Sequence, residues 1–183
     1  MRAFLRLVAE RGIDATTTRV LAEQAGVNEV TIFRLFGDKA NLAAEAVRRF
    51  QSAALIQGYQ PEIDPSNPAR AAEGLLNMLD FLRGRMAERP ELLQFGVSEF
   101  WRFPELKEDL GAAPRAAREL VERALVAAAP ALRSEVDPRA ASLSLIGLLF
   151  ISALWQSRGW LEQSEAEWHG AARQAVECLL RPT

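Results

Sequence analysis

The chain has 183 residues, and its 22 basic and 24 acidic side chains give a net charge of −2 at pH 7 with the single histidine neutral. The composition, 49% apolar and 25% charged, is that of a globular protein with one domain, or with a small domain fused to a larger one. It excludes a disordered chain, a collagen and a coiled-coil rod. The single cysteine excludes an internal disulfide and a multi-cysteine zinc site.

The sequence predicts neither a membrane-spanning nor a secretory segment. The most apolar run, residues 143–155, is interrupted by serines and a glycine, so it falls short of about 18 uninterrupted apolar residues. The N-terminus lacks the apolar stretch of a signal peptide. We therefore expect a cytoplasmic protein.

Helix-forming residues dominate the whole chain, and no segment alternates polar and apolar residues with a period of two. Four short helices are predicted within residues 1–57, the last of which continues from Lys39 as a longer connector. A proline-rich linker follows at residues 58–68, because prolines there block a continuous helix. Longer helices are predicted near residues 68–88, 91–102, 105–129, 137–160 and 165–180. The predicted fold class is all-α, with a head at residues 1–45 and a body at residues 46–183.

Charge is distributed unevenly between the two ends of the chain. Residues 1–50 carry eight basic and six acidic side chains, whereas the remaining residues carry 14 basic and 18 acidic ones. The asymmetry is mild, and its sign suits a head that binds a polyanion.

Residues 16–36 follow the pattern of two short helices joined by a glycine turn. Thr17 is suited to cap the first helix and Asn28 the second, and Gly26 is suited to end the first helix in a left-handed conformation. The apolar residues expected to pack in and around this hairpin are Leu21, Ala22, Ala25, Val27, Ile32 and Phe36. The pattern predicts a helix-turn-helix motif whose second helix fits a DNA major groove. A helical hairpin that only packs is the alternative.

Several segments of the head together resemble the signature of the TetR/AcrR family of bacterial transcriptional regulators. They are residues 9–12 (AERG), Thr18, residues 21–27 (LAEQAGV), residues 31–33 (TIF) and residues 36–42 (FGDKANL). The body matches the family only in length and helix number. The resemblance implies a three-helix helix-turn-helix head and a helical body for ligand binding and dimerisation.

The resemblance implies DNA contacts at three positions outside the recognition helix. Thr18 matches a position whose hydroxyl binds a phosphate, and Arg19 matches one that reads a guanine in some members. Lys39 matches a lysine that meets a phosphate at the start of the fourth helix. A solvated surface arginine remains an alternative interpretation of Arg19.

The exposed face of the predicted recognition helix carries Glu29, Val30 and Arg34. Arg34 can fork onto guanine, although it too is compatible with a solvated surface side chain. Glu29 can accept from cytosine, and Thr31 can cap, pack or touch a thymine methyl group. The predicted DNA-binding residues are Thr18, Arg19, Asn28, Glu29, Val30, Thr31, Phe33, Arg34 and Lys39.

The head departs from the family pattern in three respects. Phe33 stands where the family usually has a tyrosine that donates to a phosphate, and Leu35 where histidine or tyrosine is common. The sequence begins inside the first predicted helix, without the basic arm that many members have. Weaker DNA binding and a start upstream of Met1 are both open.

The body contains a helix that is too apolar for an ordinary surface position. Segment 137–160 has apolar residues around most of its circumference, which predicts burial on several faces. In the family the last two helices form a four-helix bundle with a second subunit, so we expect a homodimer that matches the two half-sites of a palindromic operator. An intrachain core helix is the alternative.

Aromatic and flexible residues of the body are candidates for a ligand pocket. Helical bundles line apolar ligand sites with such side chains, although the same spacing is typical of an ordinary core. The candidates are Met78, Phe81, Leu82, Phe95, Phe100, Trp101, Phe103, Phe150 and Trp155. Few polar residues stand among them, namely Asn77, Ser98, Glu99 and Gln156. This favours a small, mostly apolar effector.

Catalysis has little support in the sequence. No nucleophile elbow, phosphate-binding loop or dinucleotide fingerprint is present, and we expect neither an enzyme nor a cofactor or metal site. Cys178, beside two leucines, is predicted to be a small buried hydrophobic residue, with a redox-sensing thiol as the alternative.

The predicted function is a ligand-responsive transcriptional regulator that binds a palindromic operator as a dimer and is released by an effector. Members of the family usually act as repressors. The resemblance also implies that the helix after Lys39 transmits the effector-induced movement of the body helices to the head. The alternative is a dimeric helical ligand-binding or interaction protein whose head no longer reads DNA.

Overall fold

The computed structural model describes residues 1–182, which form ten α-helices, three short 3-10 helices and one isolated bridge between Leu132 and Leu180. The predicted all-α class is confirmed. The α-helices are α1 (Arg2–Ala15), α2 (Thr18–Ala25), α3 (Glu29–Phe36), α4 (Lys39–Phe50), α5 (Ala53–Gly58), α6 (Pro68–Ala87), α7 (Pro90–Ser98), α8 (Lys107–Ala127), α9 (Pro138–Ser157) and α10 (Glu165–Glu177). The 3-10 helices are Phe100–Arg102, Pro104–Leu106 and Ala129–Ala131.

Two predicted helices are shorter than expected. The connector from Lys39 stops at Phe50, where Gln51 adopts an extended backbone with ψ of 147°, and α5 begins separately. The helix predicted for residues 91–102 ends at Ser98 and is followed by a 3-10 turn. At this end the Trp101 indole nitrogen donates to the Ser98 carbonyl at 2.9 Å, and the amide of Arg102 bonds to the Glu99 carbonyl at 2.9 Å, so the hydrogen bonding here changes from the α-helical to the 3-10 pattern.

The described residues divide into two compact units. The first comprises residues 1–51 and 89–112, and the second comprises residues 52–88 and 113–182. The first unit therefore extends beyond the predicted head, because Phe95, Phe103 and Leu106 are buried in the same apolar core as Phe4. The division of DNA binding from ligand binding at residue 45 stays a prediction.

Aromatic rings are central to the core of the first unit. The ring of Phe95 lies 6.3 Å from that of Phe4 and 5.9 Å from that of Phe103, measured between centroids. Leu42 and Val47 of α4 belong to the same buried cluster. The helix-turn-helix segment is thus mounted on a packed core, which fixes the position of its outer surface within this unit.

An ion pair fastens the end of α1 to the 3-10 helix Phe100–Arg102. Arg102 donates to both carboxylate oxygens of Asp14, at 2.7 and 2.6 Å. Hydrogen bonding from Arg102 lowers the pKa of Asp14, and the nearby charges of Arg102 and Lys39 lower it further.

This lowered pKa predicts how the first unit responds to acid. The Asp14–Arg102 pair stabilises the folded state above the ordinary carboxyl pKa of about 4, and that contribution is lost as the pH falls through the lowered pKa. Asp14→Asn is therefore expected to flatten the pH dependence of the free energy of unfolding below about pH 4. Urea unfolding followed by circular dichroism at several acidic pH values measures this effect. Glu45→Gln removes one exposed carboxylate from the same unit, and an equal flattening in this control would contradict the assignment.

In the second unit, α6 packs against α9 and α10. Trp168 of α10 is fully buried, and its indole nitrogen donates to Asp80 of α6 at 2.7 Å. Arg83 of α6 donates to both carboxylate oxygens of Glu165, at 2.6 and 3.0 Å, and its guanidinium carbon lies 5.1 Å from the centre of the Trp168 ring. Packing, hydrogen bonds and ion pairing therefore coincide along the α6–α10 contact.

Helix α9 is buried on one face only. Leu145 and Leu149 are buried, whereas Leu143, Ile151 and Trp155 are exposed. The expectation of burial on several faces is wrong for a single chain, because no described element of the second unit covers this side. By length and mean hydropathy of 1.6 the helix also resembles a membrane span, a property that core helices of other proteins share.

Candidate nucleic-acid interface

Three capping residues define the segment from α2 to α3, as the sequence predicts. The side chain of Thr17 accepts from the amide of Val20 at 3.2 Å and begins α2. Gly26 ends this helix with φ of 67° and ψ of 32°, the left-handed conformation that glycine adopts without strain. The side chain of Asn28 then accepts from the amide of Val30 at 2.9 Å and begins α3.

The inner surface of this hairpin is smaller than predicted. Leu21, Ala22 and Ile32 are buried, and Phe36 packs against them with part of its surface exposed. Ala25 and Val27 are exposed, so their predicted role as packing residues is wrong. The left-handed Gly26 redirects the chain, and the amide of Val27 closes onto the Ala22 carbonyl at 3.0 Å, which leaves both side chains outside the hairpin.

The outer face of α3 combines hydrocarbon with a single cation. The side chains of Val30 and Phe33 are 70% and 50% exposed, and Arg34 is exposed beside them. Arg34 forms no ion pair with any of residues 1–182, and α3 contains no other basic residue. Thr31 is half-buried on the flank of the helix.

The first turns of α2 and α3 are joined by a hydrogen bond. The Thr18 hydroxyl donates to a carboxylate oxygen of Glu29 at 2.5 Å, and both side chains are half-buried. From the sequence, Thr18 was expected to bind a phosphate and Glu29 to accept from a cytosine. Nothing in the sequence indicated that the two side chains would contact each other. In the free protein each already has an internal partner.

The two other predicted cations also have internal partners. Arg19 pairs with Glu23 one turn along α2 at 3.3 Å, on an exposed surface. The ammonium group of Lys39 donates to the carbonyl oxygen of Ile13, near the end of α1, at 2.8 Å. Ile13 follows Gly12, whose φ of 79° and ψ of 165° interrupt the regular helix of α1, so the ammonium group bonds to a carbonyl in the turn beyond that interruption.

Lys39 is therefore expected to contribute to stability as well as to any DNA contact. Lys39→Met keeps the aliphatic stem and removes the charged donor, which should lower the free energy of unfolding by about 1.5–3 kcal/mol. Thermal and urea unfolding of the DNA-free protein measure the change. Arg34→Ala, which removes an exposed cation with no ion-pair partner among residues 1–182, should change it by less than about 0.5 kcal/mol. Equal losses of unfolding free energy in the two variants would show that the hydrogen bond from Lys39 to Ile13 does not stabilise the protein.

The nine candidate ligand residues are divided between the two units. Phe95 and Phe103 are buried in the core of the first unit, and Phe100 and Trp101 are exposed on the same unit. The other five belong to the second unit, where they do not share one environment: Met78, Phe81, Leu82, Phe150 and Trp155. Met78 and Leu82 are buried, whereas Trp155 is exposed. Neither unit by itself gathers all nine into one pocket.

A polar cleft of about 320 Å³ lies between the chain at residues 62–64 and the N-terminal half of α6. Its lining includes Glu62, Arg70 and Glu73, together with Asn77. Of the polar residues named from the sequence, only Asn77 lines this cleft. The sequence predicted a linker at residues 58–68. The prolines of this segment do not indicate that it folds back onto α6.

Cys178 is exposed at the end of α10, so the prediction of a buried hydrophobic residue is wrong. Val176 and Leu180, two residues before and two residues after Cys178, are buried. Residues two positions apart on a helix lie on nearly opposite sides, so Cys178 faces away from the side that these two residues bury. Within residues 1–182, no group of three or more His, Cys, Asp or Glu side chains is arranged to hold a metal ion.

A capped helix, a tight left-handed turn and a second capped helix with an exposed outer face are the features of a helix-turn-helix motif. Residues 1–46 match the family model of the bacterial regulatory proteins of the tetR family. No curated protein sequence matches the chain significantly. The head of this chain is therefore similar in sequence to the heads of the bacterial regulatory proteins of the tetR family.

Solved structures agree with this fold over nearly the whole chain. A HlyIIR mutant with one segment replaced by a GSSGSSG linker has a TM-score of 0.69 at 14% identity, covering 100% of this chain and 93% of its own. A Rhodococcus sp. protein assigned to the TetR-family transcriptional regulators has a TM-score of 0.68 at 18% identity, covering 97% and 95%. A second HlyIIR mutant, with a segment substituted by alanine, has a TM-score of 0.56 at 14% identity, covering 99% and 94%.

Proposed function

We propose that this protein is a ligand-responsive repressor that binds a palindromic operator as a homodimer and is released by a small, mostly apolar effector. The observation that carries the proposal is the exposed outer face of α3, mounted on a packed three-helix head. An α-helix presented in this way fits the major groove, where base edges are read. The proposed setting is the cytoplasm, and the proposed role involves no catalysis.

Arg34 is the proposed reader of guanine, because its guanidinium has no ion-pair partner among residues 1–182 and can fork onto two acceptors. Thr18, Asn28 and Lys39, at or next to helix N-termini, are proposed to contact the phosphate backbone and so to set the register of α3. Arg19 is proposed to read a guanine, the role that the resemblance implies for its position, once its exposed pairing with Glu23 opens, since such surface pairs are weak.

The exposed side of α9 supports the proposed homodimer. Leu143, Ile151 and Trp155 present apolar surface on a helix whose other side is buried, and large exposed apolar patches commonly mark interfaces. A two-fold interface through α9 and α10 would pair two heads with two half-sites.

The effector is proposed to bind the second unit. Met78, Phe81, Leu82, Phe150 and Trp155 belong to this unit, and Phe81 stacks on Tyr59 with 4.0 Å between ring centroids. Apolar and aromatic residues of this kind suit a ligand with little charge. If the effector weakens operator binding, the operator weakens effector binding by the same factor.

Selection from random duplex DNA near physiological salt tests operator binding. The expected result is enrichment of one inverted repeat, with Arg34→Ala relaxing the preference at one position of each half-site. Arg123→Ala removes a positive charge from an exposed position of α8. This control variant should select the same DNA sequence as the wild-type protein. No enrichment, even at lower salt where phosphate contacts weigh more, would favour the alternative of a helical ligand-binding or interaction protein. Phe33 and Leu35, which lack the polar groups of their family counterparts, are the residues that favour this alternative.

Sedimentation of a charged variant tests the proposed interface. Ile151→Glu should convert the dimer to a monomer, because burying an unpaired carboxylate in an apolar interface is costly. Leu55→Glu places the same charge on an exposed leucine of α5 and should remain dimeric. If the Ile151→Glu protein is still a dimer, α9 is not part of the interface.

A further inference from the structure

We propose that α3 recognises operators by the methyl groups of thymine, with Val30 and Phe33 as the residues that contact them. This inference rests on the proposed DNA-binding function and names the chemistry that the site reads. It follows from what the outer face of α3 presents and from what its polar neighbours are already bonded to.

Val30 occupies the part of the helix that reaches bases first. It is the second residue of α3, directly after the Asn28 cap and Glu29, and its side chain is 70% exposed. Residues in the first turn of a recognition helix contact base edges. An isopropyl group can neither donate nor accept a hydrogen bond, and the apolar feature that a base presents in the major groove is the C5-methyl group of thymine.

Phe33 extends this hydrocarbon surface. It lies three residues after Val30, so the two side chains are neighbours on the helix, and half of its surface is exposed. Val30 and Arg34 lie opposite the buried Ile32, with Phe33 on one side of them and Leu35 on the other, at about 100° per residue. Val30, Phe33 and Arg34 therefore form one continuous reading surface.

Two polar acceptors beside this surface, the Glu29 carboxylate and the Asn28 side-chain oxygen, have internal partners. The Glu29 carboxylate accepts from the Thr18 hydroxyl at 2.5 Å, and the Asn28 side chain accepts from the amide of Val30 at 2.9 Å. The Arg34 guanidinium and the hydrocarbon of Val30 and Phe33 are the groups that this face exposes most directly, and the half-buried Thr31 lies on its flank. The half-site expected from this surface contains a thymine, covered by Val30 and Phe33, close to a guanine read by Arg34.

Deoxyuridine provides the test, because uracil has the hydrogen-bonding groups of thymine and lacks its methyl group. Each thymine of the selected operator is replaced in turn, symmetrically in both half-sites, and Kd is measured by fluorescence anisotropy. Burial of one methyl group corresponds to about a fourfold change in affinity. Loss of two methyl groups, one in each half-site, is therefore expected to raise Kd about 15-fold at one thymine position or at two neighbouring ones.

Variants connect the effect to the named side chains. Val30→Ala should bind the thymine and uracil operators with nearly equal Kd, and Phe33→Ala should reduce the difference between them. Leu35→Ala removes an exposed apolar side chain from another side of the same helix and should retain the full difference. All of these residues are exposed, so circular dichroism spectra should match that of the wild type.

Two results would overturn the inference. An operator bound equally well with thymine and with uracil at every position would refute methyl recognition while leaving operator binding intact. A thymine preference that survives in Val30→Ala and Phe33→Ala would assign it to other residues. If no operator is selected at all, the proposed function fails, and this inference fails with it.

Discussion

Replacing Trp168 by alanine is expected to lower the free energy of unfolding by about 3–5 kcal/mol. The side chain is fully buried in the second unit, so the substitution removes a large apolar volume that the surrounding helices cannot refill. It also removes the hydrogen bond that the indole nitrogen donates to Asp80 at 2.7 Å, which is a smaller loss because the Asp80 side chain is partly exposed and can bond to water. Urea unfolding monitored by circular dichroism gives the free energy directly.

Two further variants test how the loss depends on the size of the side chain and on its burial. Trp168→Phe keeps an aromatic ring but removes the N–H group, so it should lose less than the alanine variant. Trp160→Ala removes the same side chain from a position that is 73% exposed and should change stability by less than about 0.5 kcal/mol. Similar losses for Trp160 and Trp168 would contradict the burial that the structure gives to Trp168.

Gly74→Ala is expected to destabilise the protein by about 1–3 kcal/mol, although alanine is the better helix former. A β-carbon at Gly74 would lie 2.2 Å from the backbone carbonyl oxygen of Glu62 and 3.0 Å from the side chain of Ile63. The nearest obstacle is backbone, so the chain at residues 62–63 would have to move away from α6. The same movement would open the polar cleft, which Gly74 helps to line.

Gly84→Ala is the matched control in the same helix. A β-carbon there would meet nothing within 4 Å, so the substitution should stabilise the protein by about 0.5–1 kcal/mol through helix propensity. Opposite signs at the two positions are the expected outcome of thermal unfolding. Stabilisation in both variants would show that residues 62–63 are not held against α6.

Local chemistry explains which parts of the fold could be predicted. Thr17, Gly26 and Asn28 act on their own backbone neighbourhood, so their capping roles are readable from residue type and spacing. The break between α4 and α5 was missed because neither Gln51 nor Ser52 is a residue that ordinarily interrupts a helix. The grouping of residues 89–112 with the head depends on long-range packing, for which local patterns carry no signal.

The candidate interface could be predicted in outline and not in detail. The resemblance implied an outer face with Glu29, Val30 and Arg34, and the structure exposes Val30 and Arg34 while Glu29 is half-buried. The internal partners of Thr18 and Lys39 lie 11 and 26 positions away in sequence, and only the folded chain brings these groups together. The exposure of Cys178 was missed for a related reason, because two adjacent leucines do not indicate which side of a helix end faces the core.

The bond between Thr18 and Glu29 has a consequence for the energetics of docking. The Thr18 hydroxyl has one hydrogen, which Glu29 accepts in the free protein, so a phosphate can take it only by exchange. The released carboxylate then needs a new donor, from water or from an amino group in the groove. A phosphate contact at Thr18 would thus replace one hydrogen bond with another, and its net enthalpy would be smaller than the contact alone suggests.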